Sequence, residues 1–164
     1  MDDISIRAAG PGDAPAICTI YNQGISDRVA TLETELRTPD ERLHWMSARG
    51  PRHPVVVAEA AGTLVGWGSL NQYNPRECYR HVADFSIYVE RSWRGKGVGR
   101  QLLDHLIDLA RAAGHHKMVL AALEHNHAGA ALYTRAGFTR VGIYREQGQL
   151  DGRWVDVMIM EKIL

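Results

Sequence analysis

The sequence predicts a mixed α/β fold in a single domain over residues 1–164, and three observations lead there. Short stretches of strand character alternate with amphipathic helical stretches in the order β-α-α-β-β-β-α-β-α-β-β. Turn residues separate these stretches, and no repeat, low-complexity tract or linker interrupts them. The order also contains too few βαβ units for a doubly wound nucleotide fold. A chain of 164 residues can bury a core without disulfide or metal staples.

Ile4-Ser5-Ile6-Arg7-Ala8 alternates as a half-buried strand does. Asp13 is then placed to cap a helix with Pro15 in its first turn and Ile17, Ile20 and Tyr21 on one face. Thr38-Pro39-Asp40-Glu41 forms a capping box that opens a helix carrying Leu43 and Met46, and Gly50-Pro51 ends it. Val55–Ala60 and Leu64–Leu70 read as strands joined by Ala61-Gly62-Thr63, and His81–Val89 as the next strand. From Gly97 to Ala113, Leu102, Leu103, Leu106, Ile107 and Ala110 build one apolar stripe that Gly114 terminates. Met118–Leu123 is continuously apolar and reads as a fully buried strand. A short helix over Ala128–Arg135 ends at Gly137, and strands over Phe138–Arg145 and Arg153–Lys162 flank an Asp151-Gly152 turn.

Nineteen basic residues balance nineteen acidic ones, so the surplus or stripe of positive charge expected of a nucleic-acid binder is missing. The same balance disfavours a polybasic membrane contact. No segment reaches the roughly 18–20 apolar residues a bilayer span needs, and the start, Met1-Asp2-Asp3, is acidic. Cys18 and Cys78 form no C-x-x-C motif and read as reduced thiols, so a soluble cytoplasmic protein is expected. His115-His116 and His125-Asn126-His127 lack a third ligand at metal spacing. They read as solvated loop residues, and no metal is expected.

Arg94-Gly95-Lys96-Gly97-Val98-Gly99 lies between a strand and the long helix. Glycines leave amide N–H groups uncovered, the helix start adds unpaired ones, and Arg94, Lys96 and Arg100 add positive charge. This is equipment for a pyrophosphate. A Walker loop would require Gly-Lys-Ser/Thr, which is missing, and a dinucleotide fingerprint would follow the first strand.

The loop resembles the R/Q-x-x-G-x-G/A element of the GNAT superfamily of N-acetyltransferases. Asn126 to Tyr133 followed by Ala136-Gly137-Phe138 resembles that superfamily's N-x-x-x-x-x-L-Y-x-x-x-G-F element. The resemblance covers nearly the whole chain and implies a twisted mixed sheet of about seven strands flanked by about four helices. Within it, Ala83-Asp84-Phe85-Ser86-Ile87-Tyr88-Val89, Thr34-Glu35 and Gly152-Arg153-Trp154-Val155-Asp156 look like the phosphinothricin and methionine sulfoximine acetyltransferase subfamily. That implies acetyl-CoA as cosubstrate, the α-amino group of a small amino-acid analogue as acceptor, and a homodimer with a detoxifying or resistance role.

The reaction needs a neutral amine and a proton for the departing thiolate. Asp84, inside an otherwise apolar strand, is the candidate base; the subfamily usually has Glu there, and the shorter Asp favours contact through a water. Its alternative is a structural carboxylate paired with an arginine or a backbone donor. Tyr133 matches the superfamily's proton donor to the thiolate, with a core tyrosine as the alternative. Ile87, Tyr88 and Val89 match the backbone that pairs with the pantetheine arm. Gly95, Gly97, Val98, Gly99 and Arg100 belong to the pyrophosphate cradle with Arg94 and Lys96. Asn126 either fixes the arm or caps the helix beginning at His127. For the acceptor, Asn74, Pro75 and Arg76 precede the base strand, Phe85 and Ser86 follow Asp84, and Leu32 and Glu35 lie in an early loop that could close over it. Rival functions are acetylation of another primary amine, such as a polyamine or a protein N-terminus, and non-catalytic sensing of acyl-CoA.

Overall fold

The computed structural model describes residues 3–164; Met1 and Asp2, the first residues of the acidic start, lie outside the described residues. Seven strands and four α-helices follow in the expected order: β1 (Ile4–Ala8), α1 (Ala14–Ser26), α2 (Pro39–Ser47), β2 (Val55–Ala60), β3 (Thr63–Gln72), β4 (Val82–Val89), α3 (Val98–Ala112), β5 (Lys117–Leu123), α4 (His127–Arg135), β6 (Thr139–Leu150) and β7 (Arg153–Ile163). The strands form one sheet in the order β1-β2-β3-β4-β5-β7-β6. Every neighbouring pair is antiparallel except β4 and β5.

Alternation decides which side chains meet which layer. Val56 and Ala58 join Leu102, Leu103 and Leu106 of α3 in the larger core. Val57 and Trp67 turn to the other face and pack on Ile17, Ile20, Tyr21 and Ile25 of α1. The predicted stripe of α3 is buried in full. The helix lies close on β3, because a Cβ at Gly66 would stand 2.9 Å from Val98 Cγ1 and one at Gly68 would stand 3.0 Å from Leu106 Cδ1.

Several local expectations change. Asp13 precedes α1 but its side chain does not cap it. Its carboxylate turns back to accept from the Gly10 amide (2.7 Å) and the Arg7 guanidinium (2.8 Å), stitching a 3-10 turn to β1. The Thr38–Glu41 capping box forms as read. In α2, however, Leu43 is 40% exposed, and the helix buries Arg42 with Trp45 and Met46 packed inward. β5 is not buried throughout: Val119 is half-buried, and Ala121, beyond the last pair with β4, is exposed.

β6 runs past Arg145 to Leu150 instead of stopping there. A register shift between Tyr144 and Gly148 absorbs the polar segment. Glu146 takes a left-handed φ of 49° there, and the Asp156 carboxylate accepts from its N–H (2.8 Å) and from Arg145 Nη1 (3.0 Å). β6 holds two more residues than β7 across this shift, and an irregularity of this kind lets the strand continue past them. His115 is buried and meets the Arg52 carbonyl at 3.1 Å, so it is not the solvated histidine expected.

Candidate active site

The parallel contact between β4 and β5 is short. Val82, Ala83 and Asp84 pair with Lys117, Met118 and Val119, and there the pairing stops although both strands continue. β4 stays bonded to β3 through Val89, so the two central strands splay apart beyond Asp84. The β5-facing backbone of Ile87–Val89 is left without a strand, which is the open edge an extended ligand can pair with as an added strand.

A cleft of about 510 Å³ opens at this splay. Ile87, Tyr88 and Val89 form one wall, the glycine loop and the start of α3 a second, and Asn126, Leu132 and Tyr133 of the α4 segment a third. Gly24 and Ile20 of α1 approach from the far side. Gly95 and Gly97 adopt φ of 77° and 89°, the left-handed region that disfavours a Cβ. That geometry ends the loop on an α3 N-terminus that no side chain caps. The first-turn N–H groups of any helix have no partner inside it, and Gly99 and Arg100 of this turn line the cleft, so an anion could be held there.

The cations of the loop are less free than its amides. Arg94 Nη1 is held by Asp27 Oδ2 at 2.7 Å, and Arg91 Nη2 takes the other oxygen at 2.7 Å. These two arginines hold the Asp27 carboxyl below its usual range, the Arg91 hydrogen bond contributing most. Arg100 pairs with Asp104 and donates to the Arg135 carbonyl at 3.1 Å. Lys96 lies over the Trp93 ring, 5.2 Å from its centroid, and does not line the cleft. Val98 turns its side chain away from the cleft. It is buried against β3, so it offers the cleft only its backbone. Asn126 caps α4, its Oδ1 accepting from Gly129 N at 3.0 Å, and lines the cleft as well.

Asp84 is the last β4 residue paired with β5, at the foot of the splay and on the sheet face opposite α3, and it is not among the residues that line the cleft. Its cross-strand partner is Asn71, whose Nδ2 donates to Asp84 Oδ1 at 3.3 Å and to Ser86 Oγ at 3.1 Å. Burial pushes the Asp84 carboxyl up to about 6, and the Asn71 hydrogen bond holds it from rising further. Tyr133 lines the cleft from α4, near enough for the Asp84 charge to act on its phenol. Burial, helped by the Asp84 charge, pushes the Tyr133 phenol up to about 12. A carboxyl in this range is largely ionised at neutral pH yet basic enough to take a proton. The phenol stays protonated across the same range.

The acceptor residues divide. Ser86 shares the Asp84 face through Asn71. Phe85 does not wall a pocket beside Asp84. Period-two alternation turns it to the α3 face, where it packs edge-on to Tyr133 (5.7 Å) and against Phe138 (5.4 Å). Asn74, Pro75 and Arg76 lie in the loop between β3 and β4, Asn74 half-buried and the other two exposed, with Asn74 Oδ1 accepting from Arg76 N at 2.9 Å. Leu32 docks against Gly148 of β6, and Glu35 is exposed. The carboxylate of that early loop that points inward is Glu33, which accepts from the Tyr21 hydroxyl at 2.6 Å. Asn71 was not legible as a partner of Asp84, because only strand pairing brings it there, and Trp93 lines the cleft beside the glycine loop. Among the described residues no cluster of three or more His, Cys, Asp or Glu could hold a metal, and no helix is long and apolar enough to cross a membrane.

Comparison with known proteins shows the family. The family model "Acetyltransferase (GNAT) family" matches residues 19–138. An L-methionine sulfoximine/L-methionine sulfone acetyltransferase of Pseudomonas paraeruginosa is 39% identical over 96% of this chain and 92% of its own. A ribosomal-protein-alanine N-acetyltransferase structure from Brucella melitensis aligns at TM-score 0.94 and 37% identity, over 98% of this chain and 99% of that one. A phosphinothricin acetyltransferase of Sinorhizobium meliloti, solved in complex with acetyl-CoA, aligns at TM-score 0.92 and 29% identity, over 98% and 88%.

Proposed function

The chain belongs to the GNAT acetyltransferase family, and from that premise we propose that it moves the acetyl group of acetyl-CoA directly to the α-amino group of a small amino-acid analogue of the methionine sulfoximine or phosphinothricin type. One observation carries the reading. A buried carboxyl raised to about 6 stands where β4 and β5 part, on the strand whose far end meets an uncapped helix N-terminus. The similarity to a methionine sulfoximine acetyltransferase supports the acceptor class.

In this reading the α3 amides hold the pyrophosphate and the free edge of Ile87–Val89 pairs with the pantetheine arm. Acetyl-CoA supplies the acetyl thioester. Asp84 takes the proton that the α-ammonium must lose before its nitrogen can attack the carbonyl carbon. As the C–S bond breaks, the Tyr133 hydroxyl donates a hydrogen bond to the developing thiolate. With the phenol at about 12, Tyr133 stabilises that charge by hydrogen bonding without needing to give up its proton outright. The amine's protons leave through Asp84 to solvent, and the thiolate is protonated from the same pool. No metal and no acyl-enzyme are required. We read the chain as one domain over residues 1–164 that acts in the cytoplasm as a homodimer in detoxification or resistance. The exposed Val141, Tyr144 and Trp154 of β6 and β7 support a partner surface.

Thiol release from acetyl-CoA tests this with L-methionine sulfoximine, phosphinothricin, spermine and an alanine-initiated peptide. Release with the first two and not the last two is expected. Release with the peptide alone would move the assignment to protein N-termini. Tight acetyl-CoA binding with no release for any amine would favour the sensor. A second prediction concerns the cradle. Gly97→Ala forces a Cβ into the left-handed region at about 1–2 kcal/mol, and relief of that strain turns the helix amides away. Acetyl-CoA affinity by calorimetry is expected to fall roughly tenfold, with turnover at saturating acetyl-CoA little changed.

A further inference from the structure

Arg49 lies outside the cleft, just beyond α2, and has no part in the chemistry above. Its side chain is nevertheless deeply engaged. Nε donates to the His53 carbonyl at 3.0 Å, Nη2 donates to the Leu70 carbonyl and to Asn71 Oδ1, the latter at 2.7 Å, and the guanidinium carbon sits 4.3 Å from the centroid of the Trp45 ring. Ser69, fully buried, donates to the same Asn71 oxygen at 2.9 Å. Asn71 therefore has both acceptor sites of Oδ1 and both hydrogens of Nδ2 committed, the latter to Asp84 and Ser86.

An amide can rotate by half a turn and exchange its oxygen for its nitrogen at little steric cost. Here the exchange is blocked by chemistry. A guanidinium only donates, so a flipped Asn71 would set N–H against N–H at Arg49 and oxygen against oxygen at Asp84. Serine does not impose this, because its hydroxyl can donate or accept. An ionised Asp84 accepts only and favours the same direction, but a protonated Asp84 could donate to a flipped oxygen, and Arg49, donor-only at every pH, holds the direction in that state too.

We propose that Arg49 is a positioning residue for acetyl transfer: it fixes the direction of the Asn71 amide and thereby the hydrogen bond that holds Asp84. This rests on reading Asp84 as the base. Asn71 of β3 bonds Asp84, Ser86 shares that amide, the Tyr133 phenol of α4 lies near enough to feel the Asp84 charge, and Val119 of β5 is its strand partner. None of these titrates between pH 4 and 8, so the Asp84 midpoint reports the state of the amide.

The test is the ¹³C NMR titration of the Asp84 carboxyl in the full-length protein without substrate, beside the pH profile of kcat/KM with acetyl-CoA and L-methionine sulfoximine. Arg49→Met frees the amide, and the midpoint is expected to rise by about one pH unit. Activity would then fall about twofold at pH 7 and about fivefold at pH 6. Arg49→Lys, still donor-only, should return the midpoint towards wild type. In an Asn71→Ala background, Arg49→Met should produce no further shift. A shift that persists there would mean that the charge acts on Asp84 directly, and would overturn the proposal. So would an unmoved midpoint in a folded Arg49→Met protein. Should Arg49→Met not fold, Arg49→Gln carries the test: it can still bond the Leu70 carbonyl but no longer presents only donors. A raised midpoint there supports the proposal and an unmoved one sinks it. Asp84→Asn separates the two readings. If that variant keeps wild-type turnover, the base assignment fails; if it loses turnover while the Arg49 variants leave the midpoint in place, only the role of Arg49 fails.

Discussion

Asp84→Asn is expected to slow turnover by roughly 10²- to 10⁴-fold, the usual contribution of a positioned general base, while leaving acetyl-CoA binding within about twofold of wild type. In the wild-type protein, kcat/KM should rise with pH through a midpoint near 6, because the carboxyl must be ionised to accept the proton. The same variant should be more stable than wild type at neutral pH. A carboxyl whose folded pKa is raised above its ordinary value of 3.8 favours the folded state fully only below that value, and the contribution is lost as pH rises through about 6. At pH 7.5 the wild type thus bears up to about 3 kcal/mol for keeping this carboxylate buried, and asparagine removes that cost while still accepting from Asn71. Urea unfolding of both proteins at pH 7.5 and pH 4 checks the sign. The stability gap should be widest at pH 7.5 and nearly closed at pH 4. Unchanged turnover together with a loss of stability at pH 7.5 would make Asp84 a structural carboxylate.

Tyr133→Phe is the second large effect, with kcat expected to fall about 10- to 100-fold and KM for acetyl-CoA nearly constant. The ring is retained, so the packing of Tyr133 on Phe85 and Phe138 survives, and only the hydroxyl is lost. Because burial holds the phenol near 12, its loss should lower the plateau of the pH profile without moving the acid limb set by Asp84. Steady-state kinetics from pH 5.5 to 9 reads both features at once. Normal turnover across that range would reduce Tyr133 to a core residue of α4, and a displaced acid limb would mean that its hydroxyl acts mainly on Asp84.

The legible parts of the site are those that local chemistry specifies. Gly95 and Gly97 announce left-handed backbone before an apolar helix, and the uncapped N-terminus follows within a turn. Thr38 and Glu41 satisfy each other's amides three residues apart. A lone carboxylate at Asp84 within an apolar strand marks itself. Alternation also places Phe85 away from Asp84, a signal outweighed by its position next to the candidate base. What could not be read is what Asp84 touches. Asn71 lies thirteen residues upstream of Asp84, and Arg49 a further twenty-two, so neither partner is set by any turn or cap. The inward carboxylate of the early loop is similar: Glu33 and Glu35 have the same chemistry, and only the docking of that loop on Tyr21 selects between them.

The sequence by itself determined the order of elements, the left-handed glycine loop before α3 and the family, because backbone preference and hydrophobic period act over a few residues and survive without a fold around them. Tertiary structure alone decided the splay of β4 from β5 beyond Asp84, the burial that brings that carboxyl near 6, and the Arg49–Asn71 contact behind it. These depend on register and desolvation, which exist only once strands distant in sequence have paired and water has been excluded between them.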